Sequence, residues 1–290
     1  KKLNLKTPII HDVFRWWRKN VLKDLLICKK LINDKKYIKI KDYLWMALSM
    51  SCLECANIHR NHPTISFDDN SKRKINVFDD IKNRINQIFD DLNIIKIDKV
   101  KSDILLDDST KLNNIKKYLV KKKVDYVICS PPYPNRFSYI HQSRPQLYFL
   151  DLLKNKEQAT EIDLDAIGGT WGRATSIIQK KLLIPEKKYL KIFDYFNKLS
   201  KKSILMCNYA TKYFLMLDKH IKSLKKIIKK NNFRGCYIVG NSRLSGIEIY
   251  TETILSKIFQ INGFKIEKII IFRKRGGKKE LFETAVIVKY

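Results

Sequence analysis

Apolar residues recur at helical spacing through the first sixty positions. In the run Asp12 to Ile32, Val13, Trp16, Trp17, Val21 and Leu25 fall on one face, and residues 1–62 read as helical. Both tryptophans read as core, with base stacking the alternative. Residues 60–74 are polar and interrupted by Pro63, which predicts a loop. A second amphipathic helix follows, apolar at 75, 78, 81, 85, 88 and 89. From Lys101 the pattern shortens. Residues 103–112 begin with a brief apolar run ending in acids, 115–123 read as a helix, and Val124 to Cys129 reads as a buried strand. Strand, helix, strand at this pitch predicts a βαβ unit in a parallel sheet. Residues 141–210 are mixed helix and loop, with the glycine-bearing stretch Asp165 to Ser176. Beyond them the alternation resumes: a helix at 211–230, a strand at 235–241, a helix at 250–264 closed by Gly263, then strands at 265–274 and 283–290 around a basic glycine turn. Two terminal strands joined by a short turn predict an antiparallel edge on an otherwise parallel sheet. The organisation expected is a helical region over 1–100 and an α/β domain over 101–290, with 141–210 inserted in it.

Charge then changes the picture. The 290 residues carry 59 Lys and Arg against 29 Asp and Glu, a net +30 spread along the whole chain. A biased genome can supply lysine but tends to add acids as well, so a polyanionic partner is the better account. With 44% hydrophobic residues the chain can bury a core, which argues against disorder. The apolar runs are too short to span a bilayer, and no signal peptide is visible. Of six cysteines, Cys52 and Cys55 have CxxC spacing, but they lie in a helical stretch with no second pair. Buried thiols fit better than a zinc site, and a reducing cytoplasm is expected.

The chemistry gathers at the end of the Val124–Cys129 strand, where Ser130-Pro131-Pro132-Tyr133 forbids continuing either a ladder or a helix. Proline lacks an N–H but keeps its carbonyl. A stiff turn of this kind at the carboxyl end of a strand, where α/β sheets bind ligands, groups acceptors beside an aromatic ring. That arrangement suits the exocyclic amino group of a nucleobase.

This turn, with its continuation Pro134-Asn135-Arg136, resembles the catalytic motif of S-adenosylmethionine-dependent DNA amino-methyltransferases of restriction-modification systems. Residues 236–290 are similar to the last strands of their fold. The resemblance covers 101–290 well and 1–100 weakly. It implies a Rossmann-like class I methyltransferase sheet, mostly parallel with an antiparallel last strand, and S-adenosylmethionine as cofactor. By the same resemblance, Ser130 and the Pro131 carbonyl hold the target amino group, Pro132 fixes the turn and Tyr133 stacks on a base flipped from double-stranded DNA. The serine form points to cytosine N4 over adenine N6. Asp108, with Ser109, falls where the family places an acid against the cofactor adenine; a helix N-cap is the alternative for Asp107 and Asp108. No metal is implied.

Arg136, Arg144, Arg173 and Arg243, in predicted loops near strand ends, are candidates to grip DNA, with the basic turn Arg273 to Lys279 a weaker one. Scattered solvated charge is the alternative for each. The family's glycine-rich cofactor loop has no counterpart: 167–172 follows no strand and reads as a mobile loop near the substrate, 239–246 lacks a phosphate-loop lysine, and 274–279 reads as a turn. The first cofactor strands are therefore expected upstream or in a second polypeptide. A non-catalytic DNA-binding or specificity subunit, or an RNA N-methyltransferase, is the other reading.

Overall fold

A computed structural model describes residues 4–59, 65–95, 101–275 and 281–290. The chain divides into two compact units, Lys1–Ser102 with Tyr139–Ala159, and Asp103–Ser138 with Thr160–Tyr290. The sequence reading assigns 141–159 to an insertion in the α/β domain. Instead, the helix Tyr139–Phe149 belongs with the amino-terminal helices, because Tyr148, Phe149 and Leu153 bury themselves in that core.

The first unit is helical, with Lys19–Ile32, Lys41–Glu54 and Val77–Ile94 as its long members. The first predicted helix is broken at Trp17, whose backbone is extended. Adjacent side chains of a continuous helix point roughly 100° apart; the break lets Trp16 and Trp17 both enter one core, 2% and 0% exposed. Trp17 Nε1 donates to the Cys52 carbonyl at 2.8 Å, and the Trp16 ring meets Phe67 edge-on. The core reading of both holds. Asn76 caps the helix Val77–Ile94 by accepting from the Phe78 and Asp79 amides, and Asp79 and Asp80 suit the positive end of its dipole. Cys52 and Cys55 are buried thiols. Pro63 and its neighbours 60–64 lie outside the described residues.

The second unit is α/β with a mixed four-stranded sheet. Strands β1 (Tyr126–Cys129), β2 (Arg234–Gly240), β5 (Lys265–Arg275) and β6 (Leu281–Lys289) lie in the order β1-β2-β6-β5; β3 (Ser242–Leu244) and β4 (Ile247–Ile249) form a separate hairpin. The β1–β2 pairing is parallel, while β6 is antiparallel to both β2 and β5. So β1, β2 and β5 run one way and β6 alone runs back. The last strand is antiparallel as expected, but it lies inside the sheet rather than at its edge. Only one of the three pairings is parallel, against a mostly parallel expectation.

Helices Ile204–Leu224 and Thr251–Ile261 share one core with Tyr237 and Val239 of β2 and Val286 and Val288 of β6. Gly263, at φ +87°, ends the second of them. The apolar run at 104–106 is not a strand. Ile104 is 99% and Leu106 93% exposed, since no neighbouring strand pairs with them among the described residues. The expected βαβ unit is thus reduced to the helix Asn113–Leu119 and β1. No described helix is long and apolar enough to cross a membrane.

Candidate functional site

The proline turn leaves β1 at its carboxyl end. Ser130 is exposed, Pro131 is buried, and Pro132 and Tyr133 are half-buried. The helix Ile204–Leu224 holds this turn in place. Tyr213 donates its hydroxyl to the Pro132 carbonyl at 2.7 Å. One turn earlier, the Tyr209 hydroxyl accepts from the Arg136 amide at 2.9 Å and donates to the Gly168 carbonyl at 3.1 Å. Spacing of i and i+4 puts both phenols on one helix face.

The glycine loop is thereby drawn against the proline turn. A Cβ on Gly168 would come within 3.2 Å of the Pro132 side chain and 3.4 Å of the Tyr133 carbonyl, at a φ of +79°. Asp163, 3% exposed, fixes the loop by accepting from the Ser138 hydroxyl at 2.6 Å and from the Trp171 amide at 2.7 Å.

Burial raises the pKa of the Tyr133 phenol, and the nearby Glu283 carboxylate adds to the rise while Ser130 opposes it. Arg273 donates to Glu283 at 2.7 Å and holds that carboxylate below its usual range. The Arg275 guanidinium lies over the Tyr133 ring, 4.9 Å from its centroid, and also donates to the Asn241 carbonyl. Gly240 leaves room for it: a Cβ there would meet Arg275 at 2.7 Å and Tyr133 at 2.9 Å. The turn thus presents exposed Ser130 and the half-buried Tyr133 ring, backed by two arginines and one carboxylate.

Asp108 is engaged locally. One oxygen accepts the Thr110 amide and hydroxyl, and the other faces Lys111 at 2.9 Å. The Thr110 hydrogen bond is the main cause of its lowered pKa. Asp107 accepts the Ile115 amide at 2.9 Å. The Ser109 carbonyl can only accept, so His220 Nδ1, at 2.8 Å, carries the proton and Nε2 accepts from the Tyr237 hydroxyl. Ser223 donates to the Thr110 carbonyl. The same helix therefore anchors both turns, about 10 Å apart along its axis. The Asp107 and Asp108 carboxylates are thus engaged with the turn and with the start of the helix Asn113–Leu119.

The four candidate arginines stand on different elements. Arg136 follows the turn with a left-handed backbone, φ 61°, and its buried Nε has no hydrogen-bond partner among the described residues. Arg144 belongs to the first unit, in a helix, 5.2 Å from the Trp16 ring centroid. Arg173 lies in the helix Gly172–Ile178 and is exposed. Arg243 lies in β3 and pairs with Glu248 at 3.5 Å. Three of the four thus stand in helices or a strand rather than in loops. Of the basic turn, 276–279 lies outside the described residues. Among the described residues no group of His, Cys, Asp and Glu could hold a metal.

Sequence reasoning missed Tyr209, Tyr213, Asp163 and Gly240, and it named Arg275 only within the basic turn, as a weaker candidate to grip DNA, not as a partner of the Tyr133 ring. Only the i, i+4 tyrosine pair left a local signal. Compared with known proteins, the chain matches no family model, no curated protein and no solved structure.

Proposed function

We propose that the second unit is the base-binding part of a nucleic-acid amino-methyltransferase. It receives a nucleobase flipped out of DNA, cytosine in preference to adenine, in the manner of restriction-modification enzymes. The observation that carries this reading is the Ser130–Tyr133 turn at the carboxyl end of β1, held from behind by Tyr213 and Gly168. By the resemblance, Ser130 and the Pro131 carbonyl are the acceptors for the amino group, while Tyr213 holds the neighbouring Pro132 carbonyl. Two acceptors hold the amino protons and aim the nitrogen outward; the Tyr133 ring supports the plane of the base. Such positioning is the larger part of what a protein contributes when the group transferred is already activated. A reversed last strand in a mixed sheet is in keeping with the class I fold that the resemblance implies. The methyl donor, S-adenosylmethionine by the same resemblance, is held in this reading by further polypeptide added to these residues.

A second reading, a nucleic-acid-binding subunit that does not methylate, draws on Arg275, which covers the ring that a base would use. Methyl transfer separates the two. Tritiated S-adenosylmethionine and duplex DNA are incubated with the chain, alone and with a candidate partner polypeptide, and nucleosides are identified by mass spectrometry. N4-methylcytosine that disappears in Ser130→Ala supports the first reading. No methylated nucleoside under either condition, with DNA binding intact, supports the second.

A further inference from the structure

At the opposite ends of the strands, four residues stand side by side across the sheet. Tyr126 of β1 is the cross-strand neighbour of Arg234 of β2, Arg234 of Lys289 of β6, and Lys289 of Lys265 of β5. Cross-strand neighbours project from the same face about 5 Å apart. All four are exposed, Tyr126 by 69%. With Lys230 and Asn231 they line a cleft of about 730 Å³ in which no lining residue is acidic.

Arg234 has one carboxylate, Glu267 at 3.3 Å, itself outside the lining. Lys265 and Lys289 have no ion pair among the described residues. Like charges placed directly opposite on neighbouring strands destabilise a sheet. Three in a row are a standing cost that an anion lying across them would turn into attraction. A single-stranded nucleic acid suits the row best. It supplies successive phosphates for the cations and a base for the exposed face of Tyr126, the combination that strand-binding grooves use. The cleft falls in the size range of sites for small organic ligands, so a nucleotide unit fits it. The net charge of +30 would draw such a strand in.

The geometry points to a second nucleic-acid site at this row, formed by Tyr126, Arg234, Lys289 and Lys265 and taking the backbone of a single strand. It lies roughly 13 Å along β1 from the proline turn, at 3.3 Å per residue. It stands whether or not that turn methylates anything.

Fluorescence anisotropy with a labelled 12-nucleotide oligothymidylate tests it on the full chain. Arg234→Ala/Lys265→Ala/Lys289→Ala should weaken binding at least ~10-fold and reduce the salt slope by about 2, at about 0.7 per phosphate contact. Glu267→Gln, which frees Arg234, should tighten binding, and Arg234→Lys/Lys265→Arg/Lys289→Arg should keep it. Lys23→Ala/Lys39→Ala/Lys82→Ala removes the same charge from the first unit and is expected to act far less. Unchanged affinity in the first triple variant, or equal loss in the control, would overturn the assignment. Equal competition by polyglutamate would overturn it too, in favour of an acidic protein segment.

Discussion

Arg275 covers the ring of Tyr133, and Gly240 is the residue that permits it: a side chain at 240 would strike both. A guanidinium over an aromatic face is worth about 0.5–2 kcal/mol. A base arriving at that face must displace it or stack on the other side. Arg275→Ala is therefore expected to raise the affinity for a duplex carrying 2-aminopurine at the target by roughly 2- to 30-fold. Quenching of the 2-aminopurine fluorescence reports the stacking. Weaker quenching in the variant would make Arg275 a partner in base capture instead.

Gly168 offers a second test. Its positive φ costs an L-residue about 1–2 kcal/mol, and the new methyl would press on Pro132. Gly168→Ala should lower the melting temperature and impair base capture, whereas Gly172→Ala, whose Cβ meets nothing within 4 Å, should be strained only through its own backbone. Equal loss of base capture in the two variants would separate the loop from the turn.

The contrast between these glycines and β1 shows what was legible. Val124 to Cys129 is largely apolar and ends at two prolines, so a strand and its turn could be read locally, as could the reversed last strand; the expected burial was not found, because β1 stands at the edge of the described sheet with Tyr126 and Ile128 exposed. Residues 104–106 carry the same apolar signal without becoming a strand, because a strand exists only where a neighbour supplies its hydrogen bonds. The β3–β4 hairpin was missed although Ser245-Gly246, both at positive φ, is a recognisable hairpin turn. The approach of Gly168 to Pro132 and of Arg275 to Tyr133 joins residues far apart in sequence, and no local pattern encodes it.

Arg144 and Arg136 should behave differently on substitution. Arg144→Ala removes packing from Trp16 and should destabilise the first unit while leaving the salt dependence of DNA binding unchanged. Arg136→Ala, beside the turn, should reduce that slope by ~1. Salt titrations of both variants with thermal melts decide it; a lower slope for Arg144→Ala would return it to the nucleic-acid surface.

His220 gives the fold a pH signature. Burial lowers its pKa below the ordinary histidine value of about 6.5, so the unfolded chain binds this proton more readily than the folded one. Stability should then be full above pH 6.5 and fall as pH drops from there towards the lowered folded value. His220→Gln should flatten that part of the stability-versus-pH curve in urea melts, before the carboxylates titrate. A curve with the same slope in the variant would assign the acid sensitivity elsewhere.

In the proposed function a flipped base lies against the Ser130–Tyr133 turn. Photocrosslinking tests it most directly, with 5-iodocytosine at the target position of a duplex and mass spectrometry to locate the attached residue. Adducts are expected at Tyr133, abolished by Tyr133→Ala and strengthened by Arg275→Ala. Adducts confined to the first unit or to the row at Tyr126, with Tyr133 unlabelled, would contradict it.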